Sequence, residues 1–191
     1  MAEGIKCCGS DLMADLNKAI GCLNALGLKP KLDSFKDKLV IQKVIYLIQK
    51  KGLDLGFSYG IYIRGPYSQG LTKELYANRR KVEELDSNSV LSGEEKKVIE
   101  EIKALFDLNK PSVLEIAATF EYFQADARLN EFEALIRLKD LKPFYSETEV
   151  AIGVSKAKQL FFKPSETDLS ELKKELMPWQ NASLRDLSRA L

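Results

Sequence analysis

Residues 35–76 read FKDKLVIQKVIYLIQKKGLDLGFSYGIYIRGPYSQGLTKELY, and the interpretation of this stretch decides the fold. At 3.6 residues per turn, Phe35 to Lys51 distributes Phe35, Leu39, Val40, Ile41, Val44, Ile45, Tyr46, Leu47 and Ile48 around most of a helix circumference. A helix apolar nearly all round has to be buried nearly all round. Lys36, Lys43 and Lys50 recur at every seventh position and superimpose along the axis, so that line reads as the one solvated edge. Asp33 or Ser34 supplies the N-cap, and Gly52 suits the left-handed position beyond the last turn. The run is too short and too charged to span a membrane, which takes about 20 apolar residues.

Downstream, Phe57 to Arg64 alternates, with Phe57, Tyr59, Ile61 and Ile63 on one side and Ser58, Gly60, Tyr62 and Arg64 on the other, the pattern of a short strand. Gly65-Pro66-Tyr67-Ser68 then reads as a sharp turn whose Ser68 caps a helix over 69–81. Tyr62, Arg64, Gly65, Pro66, Tyr67 and Ser68 thereby gather at a helix N-terminus, where free N–H groups and the helix dipole favour an anion. They are the candidate binding residues. The plainer interpretation is that Gly-Pro fixes the angle between strand and helix while the tyrosines pack.

Working outward, Leu12, Leu16, Ile20 and Leu23 share one face of a first helix that starts at Ser10 or Asp11 and ends near Gly27. Residues 82–91 read as a polar loop. Ser92 to Glu95, Ser112 to Glu115 and Ser146 to Glu149 each match the capping-box pattern, a hydroxyl followed three residues later by Glu. Behind Ser112, a helix with Ile116, Ala117, Phe120 and Phe123 on one face is the natural partner of the central helix. Asn130 caps a short helix that stops before Pro143, and residues 165–177 read as a charged terminal helix. The expected fold is mainly α: a single compact helical domain at 11–162 around the buried helix at 35–51, with one small strand or hairpin at about 57–64. A loose arm at 1–10 carries Cys7 and Cys8, and the helix and tail at 163–191, with Trp179, are expected to dock on the same domain.

The chain contains no histidine, which removes Ser-His-Asp and Cys-His nucleophilic systems, His-ligated zinc and the commonest general acid-base side chain. No spacing of carboxylate, Lys, Tyr or Cys singles out a catalyst, so no catalytic residue is assigned and an enzymatic reading has no support in the sequence. Cys7 and Cys8, without a second pair, do not complete a tetrahedral zinc site, so no metal or cofactor is expected. An odd total of three cysteines fits a reducing interior and a cytoplasmic protein.

Charge is uneven along the chain: residues 29–81 hold twelve Lys/Arg against four Asp/Glu, and residues 82–133 hold five against thirteen. Either the halves neutralise each other or the basic segment is an exposed footprint. In the second case Lys36, Lys43, Lys50, Arg79 and Arg80, with Arg64, would form a basic face on phosphates, and the helix–strand–turn–helix order would act as a winged helix on nucleic acid.

The stretches Ile41-Gln42-Lys43-Val44-Ile45-Tyr46-Leu47-Ile48-Gln49, Gly65-Pro66-Tyr67-Ser68 with Leu71, Leu114 to Phe120, and Leu141-Lys142-Pro143-Phe144 together resemble the YwgA-like family of small prokaryotic proteins, over about residues 35–162. More distantly, the helix–strand–Gly-Pro arrangement is similar to the Panacea-type domain of SocA-like antitoxins, which bind toxins or present them to a protease. This chain departs from that pattern in having no Trp before the Gly-Pro pair. The resemblance implies a non-enzymatic interaction or regulatory module, antitoxin-like or adaptor-like, whose partner is a protein such as a toxin or a component of a protease system. It brings no catalytic residues. Nucleic acid is the alternative partner, and no membrane partner is expected.

Overall fold

The computed structural model describes residues 14–162, 166–167, 169–171 and 173–178. The arm at 1–10 with Cys7 and Cys8, and Trp179, lie outside the described residues. The chain divides into two units, Met1–Leu160 and Phe161–Leu191. In the second, residues 166–167, 169–171 and 173–178 are helical, within the span read as a terminal helix.

The first unit is built in the order α1 (Leu16–Ala25), α2 (Phe35–Lys50), β1 (Gly60–Tyr62), β2 (Gly65–Tyr67), α3 (Gln69–Ala77), α4 (Arg79–Glu83), α5 (Gly93–Leu105), α6 (Pro111–Glu121), a π-helical turn (Tyr122–Asp126), α7 (Glu131–Leu141) and α8 (Glu147–Phe161). The mainly helical class with one small hairpin is the expected one. α2 forms the axis, with every residue from Leu39 to Ile48 buried. At about 1.5–3 kcal/mol for each large aliphatic side chain removed from water, this helix alone accounts for a large part of the core. Ser34 caps it, its Oγ accepting from the Asp37 N–H at 3.2 Å, and Gly52 takes φ +108° past its end.

α6 packs along α2, and α1 and α5 cover other parts of its circumference. Leu114, Ile116, Ala117, Ala118 and Phe120 of α6 are fully buried, the alanines permitting close approach. α8 crosses α6 at Gly153, where a Cβ would stand 2.4 Å from Ile116 Cγ2. That glycine is retained for contact, not for backbone freedom. No helix among the described residues is long and apolar enough to cross a membrane.

Several boundaries differ from the sequence expectation. α1 begins at Leu16, with Asp15 accepting from the Lys18 N–H at 2.8 Å; the start read at Ser10 or Asp11 lies outside the described residues. Ser92–Glu95 and Asn130–Glu133 close as full reciprocal caps, and Ser146 pairs with Glu149 in the same way. The Ser112 to Glu115 box does not form. Pro111 occupies the first helical position, where its missing N–H costs nothing, and Glu115 is carried into the interior. The helix expected over 69–81 is interrupted at Asn78, which ends α3 and starts α4.

The hairpin is the largest local revision. Gly65-Pro66-Tyr67, read as the turn, is the second strand; the turn is Ile63-Arg64, with Gly60 opposite Tyr67 and Tyr62 opposite Gly65. Ile61 and Ile63 are exposed while Phe57 is buried, so the expected one-sided apolar face does not exist. Among the described residues no further strand lies beside this two-stranded hairpin, so it has no sheet to bury an alternating face.

Candidate functional site

The expectation of a solvated lysine edge on α2 fails at its centre. Lys36 is exposed and Lys50 half-buried, but Lys43 is only 2 % exposed. Its ammonium donates to the main-chain oxygen of Pro66 at 2.7 Å. Lys43 therefore does not belong to a basic face. Three of the others are paired with carboxylates: Lys50 with Asp126 at 2.6 Å, Arg79 with Asp33 and Glu83, and Arg80 with Glu84 at 2.9 Å.

Behind the hairpin lies a buried charge cluster. Glu115 of α6 is paired with Lys142, just past α7, and both side chains are inaccessible. Lys142 also donates to the Ile63 oxygen at 2.5 Å. Arg64, half-exposed at the turn, places Nη1 3.7 Å from the second oxygen of Glu115 and its guanidinium 5.1 Å from the Phe144 ring. Three cations thus surround one carboxylate. Burial is the main force holding Lys43 down to about 7, opposed by Glu115 and reinforced by Lys142 and Arg64. Burial likewise lowers Lys142, against the pull of Glu115. Tyr145, half-buried and next to Glu115, is pushed up to about 12, burial being the larger cause.

The hairpin's close seat depends on Gly65, at φ +83°, where a Cβ would fall 2.1 Å from Thr119 Oγ1. Thr119 itself donates to the Glu115 carbonyl at 2.6 Å. Gln42, the neighbour of Lys43, ties α2 to α3: its Nε2 donates to the Ser68 oxygen at 3.0 Å and to Thr72 Oγ1 at 2.9 Å, while its Oε1 accepts from the Ser68 N–H at 2.9 Å. Ser68 Oγ in turn accepts from the Leu71 N–H, capping α3 as expected. The donors of Ser68 and Leu71 are therefore spent inside the protein and not held open for an anion.

On the outer side of this seat is a cavity of about 410 Å³. Leu32 and α2 residues Phe35, Lys38, Leu39, Gln42 and Lys43 form one wall; Tyr62, Ile63, Arg64 and Tyr67 of the hairpin form the second; Thr72, Leu75 and Tyr76 of α3 close it. The volume is in the range of small-ligand and side-chain pockets. Phe35, Ile63, Tyr62 and Tyr76 are exposed around it, Ile63 at 75 %. Tyr62 accepts from Gln69 Nε2 at 2.8 Å and meets Tyr67 edge to face at 5.2 Å. Lys38 donates to the Tyr76 hydroxyl at 3.1 Å.

The structure thus brings Tyr62, Arg64 and Tyr67 together at one pocket, with Gly65, Pro66 and Ser68 as its scaffold. Sequence reasoning missed Lys38, Leu39, Leu75 and Tyr76 as walls, and Gln42, Glu115, Thr119 and Lys142 as supports. The available signal was the polar pair Gln42-Lys43 inside an otherwise apolar helix.

A second polar cluster sits at the π-helical turn, a feature often found where backbone geometry is adapted to a site. Asp126 accepts from the Tyr46 hydroxyl at 2.7 Å and from Lys50. Burial raises Glu121 to about 7. The Tyr59 hydroxyl, near the Tyr46 ring, has no hydrogen-bond partner among the described residues. Among the described residues no group of three or more Cys, Asp or Glu is placed to hold a metal ion.

No family model, curated protein or solved structure matches this chain.

Proposed function

We propose that this chain is a protein-interaction module whose docking surface is the pocket between α2, the hairpin and α3. The observation that carries the reading is the apolar cavity opening between exposed Phe35, Ile63, Tyr62 and Tyr76, large side chains placed where water would otherwise cover them. A rigid wall supports it: Lys43 and Lys142 hold the hairpin through its own main-chain oxygens, so the surface is formed before a partner arrives. An antitoxin-like or adaptor-like role, with a toxin or a protease system as partner, follows from the family resemblance and belongs to this proposal.

The test is affinity capture from the source lysate, with and without nuclease, comparing the native chain with Ile63→Ser and Tyr76→Ser. A protein retained after nuclease and lost from both variants supports the reading. Capture of nucleic acid, unaffected by these substitutions and weakening steeply with salt, would assign the function to the basic segment instead.

A further inference from the structure

The cavity walls contain three basic side chains, Lys38, Lys43 and Arg64, and no carboxylate. Lys43 is occupied by Pro66, but Lys38 touches only a neutral tyrosine hydroxyl among its described hydrogen bonds, and Arg64 shares one carboxylate, Glu115, with the much closer Lys142. The charge around Glu115 is not balanced by that single acid. An incoming anion would offset the excess, whereas an incoming cation would meet like charge on two walls.

Resting on the docking reading, we infer that the pocket recognises an acidic, apolar segment of a partner protein: a large aliphatic or aromatic side chain enters the cavity, and a neighbouring carboxylate is met by Lys38 from α2 and Arg64 from the hairpin turn. A chain segment is favoured over a free small molecule because the apolar surface continues past the cavity onto Phe35 and Ile63. A ligand filling about 410 Å³ would leave that rim in water. A segment running over the mouth covers it and supplies the acid. Aromatic and Arg contacts at such a centre are the side chains that most often dominate interface energetics.

The test is selection of a random twelve-residue peptide library on the immobilised full chain, repeated on Ile63→Ser, Arg64→Ser and Lys38→Glu. Lys38→Glu is the informative variant, since its charge inverts at a position in contact with Tyr76 and near Asp33, which is itself paired with Arg79, and an unchanged thermal midpoint verifies its fold. The native chain is expected to enrich Asp or Glu within a few residues of Leu, Ile, Phe or Trp. Ile63→Ser is expected to abolish that enrichment. Arg64→Ser and Lys38→Glu are expected to weaken a selected peptide about 3- to 10-fold each, the range of partly exposed charge contacts. Apolar peptides without acids, or acidic ones indifferent to Lys38→Glu, would overturn the inference and leave the docking reading intact. Absence of any peptide sensitive to Ile63→Ser, with decanoate but not decanol protecting the cavity from a fluorescent anilinonaphthalene probe, would assign the pocket to a small amphiphile and overturn it as well.

Discussion

The ammonium of Lys43 donates to the main-chain oxygen of Pro66 at 2.7 Å, across 23 residues of sequence, with the side chain almost entirely withdrawn from water. A basic side chain in the buried central helix holds one strand of the hairpin that walls the pocket.

That placement has a pH signature. The Lys43 amine falls from 10.5 in the unfolded chain to about 7 in the folded one, so between these values the unfolded state binds the extra proton. Stability therefore rises as pH climbs above 7, and the contribution is lost as pH falls back through that value. The slope for one proton approaches about 1.4 kcal/mol per pH unit. Lys142 acts with the same sign, while Cys22 and Tyr145, both held up to about 12, give the opposite slope above their ordinary values of 9.0 and 10.0. Denaturant unfolding from pH 7 to 9 should show the native chain gaining stability relative to Lys43→Met; parallel curves would contradict this placement of Lys43.

Gly65 combines a positive φ with a contact that leaves no room for a methyl group. Gly65→Ala should cost about 2–4 kcal/mol, from left-handed strain together with overpacking against Thr119. Adding Thr119→Ala should recover the packing part and leave the strain. Urea unfolding of the single and double variants measures both, and additive losses would show that the two residues do not meet.

Glu115 and Lys142 form an ion pair with no access to solvent. Removing one charge leaves the other stranded, so Glu115→Gln should destabilise by about 3–5 kcal/mol, far more than Glu84→Gln at the exposed pair with Arg80. Comparable small losses for the two would contradict the burial.

Glu121 is raised from 4.5 to about 7 by burial, so the folded state holds the extra proton between these values. Stability relative to Glu121→Gln should fall as pH rises from 4.5 to 7 and level off above it. A carboxylate resonance of Glu121 titrating near 4.5 would refute this.

The parts of this fold written in local sequence were legible: α2 from its continuous apolar run and local caps, α5 from its reciprocal Ser92–Glu95 cap, and α7 from its Asn130 cap. What required tertiary partners was not. The heptad spacing of Lys36, Lys43 and Lys50 is that of a solvated line, and only the Pro66 carbonyl, brought over by the hairpin, makes the middle position an interior one. Glu115 carries the signature of a capping glutamate, but Pro111 shifted the start of α6 by two residues and freed that side chain for Lys142. Tyr62, Arg64 and Tyr67 were visible as a cluster because the hairpin is short; their facing wall on α2 and α3 was hidden by the same helical periodicity that reads as core.

The most direct test of the docking surface is site-specific photocrosslinking in the source organism, with a benzophenone side chain at Phe35 or Tyr76 beside the pocket and, as control, at exposed Glu100 on α5. The expected result is one nuclease-resistant protein adduct formed from Phe35 and Tyr76 and absent from Glu100. Equal labelling from all three positions, or adducts to nucleic acid alone, would contradict the account.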